Sequence, residues 1–218
     1  MPDPAVPPVA VIDLLALLAY GELQAFDQMA ADARLAPDLH RRAVLSEMAA
    51  AEIVNYRRLA GRLTQLGADA ESSMRPFVAA LEDYHDQTAP KDWLEALTKA
   101  YVGDGIADDF YREVALHLAP GDRELILDVL HDSRYAEFAA GEIRAAIAVD
   151  PKVANRLSMW ARRLVGEGLS QAQRVGGERP ALALLLVGAA EDQDAVTALF
   201  KRLTTAHTAR MAAVGLNN

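Results

Sequence analysis

The strongest constraint on the fold is a helical periodicity that fills most of the chain. Apolar residues recur every three or four positions over four segments of about 25 to 29 residues, a spacing that places them on one face of an α-helix. Alanine and leucine dominate, β-branched runs are short, and no useful stretch alternates apolar and polar residues as a strand does. The sequence therefore predicts an all-α protein, with long helices over residues 9–33, 38–66, 92–118 and 122–149.

The lengths of the connections predict how these helices are joined. The first and third connections are short turns, at "RLAPDLH" and "LAPGD", whereas residues 68–91 form a long connection with a short helical turn around residues 74–84. A short, a long and a short connection in this order predict two antiparallel hairpins linked by one crossover, which is the connectivity of a ferritin-like four-helix bundle. Further helices are predicted over residues 153–174, 180–190 and 194–214, so we expect one domain, 1–218, with a core at 9–149 and appended helices at 150–218.

Composition excludes several classes of protein. The 218 residues include no cysteine, which rules out disulfides and thiolate metal sites, and 52% of them are hydrophobic, which is too many for a disordered chain. A net charge of −9 argues against general nucleic-acid binding by the whole surface, although it leaves a local basic patch open, and no DNA partner is expected. No basic residue precedes Arg34, so a signal peptide is not expected, and the longest uncharged apolar run, residues 180–190, is shorter than the ~20 residues that cross a bilayer. We expect a cytoplasmic protein without membrane contact.

Each of the four long apolar stripes carries an acid near its middle. These acids are Glu22, Glu52, Asp104 and Asp132. An unpaired buried charge costs several kcal/mol, so four acids at similar depth call for a shared partner. Two metal ions are the usual partner in a bundle of this kind, because they stabilise carboxylates that would otherwise repel one another.

Sequence spacing tests whether the four acids lie at one level. In an antiparallel hairpin, two residues meet if they are equally far from the turn. Glu22 and Glu52 are 30 positions apart, and Asp104 and Asp132 are 28 apart. Asp108 with Asp132 gives 24, a poorer match, and Asp104 is therefore preferred over Asp108 as the acid of the third helix.

Three segments carry a resemblance to a known family. "AEIVNYRRL", "GDGIADDFYRE" and "LHDSRYAEF" resemble matching segments of the tRNA hydroxylases, ferritin-like non-haem di-iron enzymes that hydroxylate a side chain of a modified adenosine beside the anticodon. The chain is most similar to the actinobacterial hydroxylase-like branch, over residues 9–149. The resemblance implies a di-iron hydroxylase (an oxidoreductase) that acts on tRNA, with its ligands in the order acid, E-x-x-H, acid, E-x-x-H.

The chain departs from that pattern at both histidine positions. Asn55 follows Glu52 by three residues and Tyr135 follows Asp132 by three, where the family has histidines. A metal site would then consist of oxygen ligands, with Asn55 and Tyr135 completing the set as catalytic candidates. Oxygen ligands suit Mg²⁺, Mn²⁺ or Ca²⁺, while tyrosinate also binds ferric iron. Three interpretations stay open: an altered metal site with oxidative activity, a structural metal, and no metal at all.

A metal-free bundle would satisfy the acids from within and serve as a binding or interaction module. Arginines that turn inward would pair with the carboxylates, and tyrosine hydroxyls would donate to them. Alternatively, one acid would hold a proton, since crowding raises its pKa. The candidate arginines and tyrosines are Arg57, Arg58, Arg112, Arg134, Tyr56, Tyr101, Tyr111 and Tyr135.

Two further features have open interpretations. Gly103 and Gly105 flank Asp104 in mid-helix, where each costs up to about 1 kcal/mol relative to alanine, and they indicate close helix packing, a bulge, or room for a substrate. Arginine groups would form either an RNA-contacting patch or solvated, salt-bridged helix faces. These groups are Arg41 with Arg42, Arg57 and Arg58 with Arg62, and Arg162 and Arg163 with Arg174.

Overall fold

The structure is a computed structural model that describes residues 8–130, 134–187 and 193–217. These residues are almost entirely helical and contain no strand. In chain order the helices are α1 (Pro8–Asp32), α2 (Leu39–Gln65), α3 (Ala70–Gln87), α4 (Trp93–Lys99), α5 (Gly105–Ala115), α6 (Pro120–Val129), α7 (Arg134–Val149), α8 (Lys152–Glu178), α9 (Pro180–Val187) and α10 (Gln193–Ala213). A 3₁₀ turn (Ala33–Leu35) follows α1, and a π turn (Ala100–Asp104) joins α4 to α5 without a break.

Aspartates begin three of these helices. The side chains of Asp38, Asp69 and Asp92 each accept a hydrogen bond from the backbone N–H three residues later, at 2.8–2.9 Å. Such a cap satisfies one of the free N–H groups of a helix start and stabilises it by about 1 kcal/mol. Gly67 ends α2 with a φ of 77°, a left-handed conformation that glycine adopts without strain.

The four-helix core has the predicted connectivity. Helices α1 and α2 form one antiparallel hairpin, while α4–π–α5 forms a second with α6 and α7. Ion pairs between α2 and the fourth segment run in opposite directions along the two sequences, because Arg41 pairs with Glu142 and Arg62 with Asp122, each at 2.6 Å. The order of directions is therefore up, down, down, up, with α3 as the crossover.

The crossover is longer and more regular than the sequence predicted. The expected short turn at residues 74–84 is an 18-residue helix, α3, which packs against α1 and α8. Met74, Phe77 and Ala80 form its buried stripe, and the cap at Asp69 fixes its start. The stripe is only three residues long, so the periodicity of the sequence understated the extent of the helix. The predicted fourth helix is α6 and α7, and residues 131–133 between them lie outside the described residues.

The C-terminal helices build a core of their own against the bundle. Helix α8 crosses α3, α4 and the π turn, and α10 packs on α5. The apolar cluster between them includes Val102, Ile143, Leu157, Leu164 and Met211. The appended helices are thus part of the wall around the third bundle helix.

Helix α1 is the most apolar of the long helices. By length and composition alone the segment Pro8–Leu35 could cross a membrane, but in this fold Leu14 and Leu15 are fully buried among the neighbouring helices, as in a core helix. Asp13, which interrupts the apolar run, is 3% exposed and accepts hydrogen bonds at both carboxylate oxygens from the Arg179 guanidinium. This bidentate pair fastens α1 to the start of α9.

Replacing Asp13 by alanine should lower the free energy of unfolding by roughly 2–3 kcal/mol, because it leaves the partly buried Arg179 guanidinium without its partner. Urea denaturation followed by circular dichroism measures the change. Asp27→Ala, at an exposed position of the same helix, is the control and should change stability little. Equal effects of the two substitutions would contradict the assigned role of the ion pair.

Candidate metal centre: an acid cluster in the bundle interior

Glu22 of α1 and Glu52 of α2 meet inside the bundle. Glu22 is only 7% exposed, and the Asn55 side-chain amide lies against both acids. Its Nδ2 donates to Glu22 Oε2 at 3.3 Å, and at 3.5 Å to both Glu52 Oε2 and the Val129 carbonyl. Two of the acids predicted from the sequence are therefore brought together, with the predicted Asn55 between them.

Glu22 retains its proton at neutral pH. Burial raises the pKa of its carboxyl group to about 10, with the neighbouring Glu52 as the next cause. The two glutamate side chains hydrogen-bond to each other, and the proton on Glu22 removes one negative charge from the pair. A shared proton thereby reduces the repulsion that a metal ion would otherwise have to offset.

Asp104 and Asp108 both approach these glutamates. Burial raises the pKa of Asp104 well above its usual value, and the charges of Asp108 and Glu52 raise it further. Burial also raises the pKa of Asp108 to about 6, against the opposing effect of the Arg112 guanidinium. The sequence argument chose Asp104 over Asp108, but the charge of Glu52 acts on both. We call Glu22, Glu52, Asp104 and Asp108 the interior acid cluster; the fourth predicted acid, Asp132, lies outside the described residues.

The π turn and its two glycines shape the wall of the cluster. The turn ends at Asp104, and π turns of this kind occur frequently at functional sites. A Cβ atom on Gly103 would lie 2.9 Å from the Tyr84 hydroxyl, and one on Gly105 would overlap the Arg210 side chain. Of the three interpretations of these glycines, the structure supports the close packing and the bulge. Asp104 itself retains accessible surface.

Tyr135 points its hydroxyl toward the cluster. Its side chain is 9% exposed, and its hydroxyl has no hydrogen-bond partner among the residues that the structure describes. Burial raises the pKa of Tyr135 well above its usual value, as do the charges of Asp104, Asp32 and Glu52. Tyr135 is therefore a neutral phenol here and could donate a hydrogen bond toward the acids.

The cations beside the cluster are mostly not those expected from the sequence. Arg57, Arg58 and Arg134 are exposed on the outside of the bundle. Of the predicted arginines, Arg112 is the one that acts on the cluster, through Asp108, while its Nη2 donates to the Leu130 carbonyl at 2.7 Å.

Two cations in the interior were missed by sequence reasoning. Lys99 of α4 is 3% exposed, and Arg210 of α10 donates to Asp109 at 2.5 Å. Lysine five residues before Asp104 was a visible signal, but a regular α-helix would turn it away from that residue. Nothing in the sequence pattern links Arg210 to the bundle core.

The described residues do not fit a di-iron centre. In the described ranges, no three His, Asp or Glu side chains are arranged to hold a metal ion. Asn55 stands where the second helix would offer an imidazole, and it directs N–H donors, not a lone pair, at Glu22 and Glu52. A cation would have to displace both the amide contacts and the proton on Glu22.

The fold places the chain in a class of proteins, the ferritin-like helical bundles. A family model described as "Ferritin-like domain, actinomycetes" matches residues 8–189, which is most of the chain. This protein belongs to that family. A comparison with curated proteins finds no match.

The protonated state of Glu22 predicts a pH-dependent stability. The unfolded chain releases the Glu22 proton above its usual pKa of 4.5, whereas the folded chain holds it to about 10. The free energy of unfolding should therefore fall as pH rises between these values. Glu22→Gln removes the proton release and should stabilise the protein at pH 8 by roughly 1–3 kcal/mol. Thermal melts from pH 5 to pH 9 measure the effect.

Glu47→Gln, at an exposed position of α2, is the matched control and should follow the wild-type pH profile. A loss of stability in Glu22→Gln at pH 8 would show instead that the native protein needs a charged Glu22.

Proposed function

We propose that this protein is a ferritin-like binding module that works without a metal-dependent oxidation. The fold is that of a family rich in metal enzymes, but the interior residues have the chemistry of a closed polar network. The bundle then serves as a rigid scaffold, and recognition takes place on its outer surface.

One observation carries this proposal: the Asn55 amide lies where a ligand would be and donates to the acids it separates. Its contacts with Glu22, Glu52 and the Val129 carbonyl, together with the proton on Glu22, give the pair partners from within the protein. Buried polar groups satisfied in this way need no further ligand.

The surface that we propose for recognition is a groove between α2 and α6. It encloses about 540 Å³, and its lining includes Arg57, Arg58, Arg62 and Gln65. Arg58 and Arg62 are held in place by Asp128 and Asp122, while Arg57 is exposed beside them. Oriented guanidinium groups bind phosphate. Because the resemblance to tRNA hydroxylases implies the same partner, we propose tRNA as the ligand and the cytoplasm as the location.

The oxidative function, a tRNA hydroxylase-like enzyme with iron or manganese, is the second candidate. It is favoured by the convergence of the three other cluster acids on Glu52 and by the Tyr135 hydroxyl beside them, which has no hydrogen-bond partner among the described residues. It would need ligands from Asp132, which the described residues do not include, and displacement of Asn55.

Metal analysis separates the two candidates. Protein purified without chelator should contain far less than one equivalent of iron, manganese or zinc per chain, and neither EDTA nor added Fe²⁺ or Mn²⁺ should shift its Tm, because a bound metal would stabilise the folded state. Stoichiometric metal in the wild type would overturn the proposal in favour of the oxidative candidate.

The double variant Asn55→His with Tyr135→His tests whether the cluster occupies the position of a metal centre. Imidazoles at these positions should restore binding of Fe²⁺ or Zn²⁺, by at least one equivalent per chain. Asn155→His, at an exposed position of α8, is the control and should bind none. If the double variant also binds none, residues 22, 52, 55 and 135 do not form the ancestral site.

The RNA proposal predicts binding that depends steeply on salt. Affinity for tRNA, measured by fluorescence anisotropy between 50 and 200 mM KCl, should fall linearly on a log–log plot, as for a protein that contacts phosphates. Arg57→Gln should weaken binding and reduce the slope by about 1. Arg75→Gln, at an exposed position of α3, should leave both unchanged. Binding that is absent, or that is insensitive to salt, would remove tRNA as the partner.

A further inference from the structure

Lys99 is a fully enclosed cation beside the interior acid cluster. Its side chain is 3% exposed, and an ammonium group so far from water is costly unless nearby groups compensate it. Its Nζ donates to Gln28 Oε1 at 3.3 Å and lies 5.4 Å from the centre of the Tyr84 ring. Neither contact carries a full negative charge, so the compensation must come from carboxylates nearby.

The π turn directs Lys99 toward Asp104. Residues five apart in a regular α-helix point about 140° away from each other. In a π turn, whose hydrogen bonds join residues five apart, the same two positions lie on one face. Because Ala100–Asp104 is such a turn, Lys99 and Asp104 face the same side of the third bundle helix.

The surroundings of Lys99 are acidic. Burial lowers the pKa of Lys99 to about 8, and the charges of Asp32, Asp104 and Asp86 oppose that effect and favour its ammonium form. The Gln28 side chain connects Lys99 to Asp32, because its Oε1 accepts a hydrogen bond from Lys99 while its Nε2 donates one to Asp32 at 2.8 Å. Asp32 is itself 3% exposed.

The other basic groups nearby bind partners outside the cluster or are uncharged. Arg112 donates to the Leu130 carbonyl, and Arg210 forms its ion pair with Asp109. Burial and the charge of Lys99 lower the pKa of His85 to about 4, so that imidazole is uncharged at neutral pH. Lys99 is more buried than either arginine.

We propose that Lys99 is a tethered cation that supplies to Asp104, and through it to the interior acid cluster, the positive charge a metal ion would otherwise supply. The inference rests on the metal-independent function proposed above. A charge fixed to the backbone needs no loading, and it repels a divalent ion that approaches the same carboxylates. The lack of a metal-holding group of acids and histidines among the described residues thereby acquires a physical explanation.

A double-mutant cycle between Lys99 and Asp104 tests the proposal. Lys99→Met keeps the length and apolar stem of the side chain but removes its charge, and it should lower Tm at pH 7. Adding Asp104→Asn should recover most of that loss, so that the two substitutions show a coupling on the order of fivefold or more in the unfolding equilibrium. Lys201→Met, at an exposed position of α10, is the control.

A lysine without this role predicts the opposite change in Tm. If Lys99 is only a buried side chain, methionine should raise Tm, since a desolvated ammonium is removed, and the cycle should show no coupling. If Lys99→Met alone does not fold, the double variant should; failure of both to fold would overturn the proposal.

Addition of MnCl₂ distinguishes this proposal from the metal-independent function. Manganese should raise the Tm of Lys99→Met but not that of the wild type, because only the variant has an uncompensated cluster. An equal response of the two proteins would overturn the role of Lys99 as a substitute for a metal. Metal analysis of the same wild-type preparation tests the proposed function separately, whatever the cycle shows.

Discussion

The cost of removing carboxylates from water governs the interior of this protein. A bundle of apolar helices offers no solvent to an acid in its core, so each such acid must receive a proton, a hydrogen-bond donor or a cation from the protein itself. Glu22 holds a proton, Glu52 receives the Asn55 amide, and Asp108 feels Arg112. The apolar stripes that form the bundle bring these acids together, and the polar partners make that arrangement tolerable.

Buried carboxylates near the protein surface also receive a partner from the protein itself. Asp13 is matched by Arg179 and Asp122 by Arg62, and each pair joins helices that are distant in sequence. These carboxylates are buried, but their arginines reach the surface, so the guanidinium groups remain partly hydrated. The ion pairs therefore select which helices dock on each other, while burial of leucine, alanine and phenylalanine supplies most of the stability.

Sequence reasoning succeeded where the signal is local and periodic. The helices, the up–down–down–up core and the meeting of Glu22 with Glu52 follow from stripes of apolar residues and from distances to a turn. It failed where the geometry departs from 3.6 residues per turn or depends on remote segments. The π turn changes which residues share a face, so the sequence did not associate Lys99 with Asp104. It also led to a choice between Asp104 and Asp108, although both residues belong to the interior acid cluster. Arg210 arrives from a helix about a hundred residues away, and no spacing rule predicts that contact.

The position of Arg210 has a consequence for how the chain reaches its native state. Its guanidinium fills the space left by Gly105 and pairs with Asp109, yet it lies about a hundred residues further along the chain. The third bundle helix thus acquires its final packing only when α10 has docked on it. A folding intermediate that lacks α10 would keep a gap in this helix wall, and such exposed surface favours aggregation.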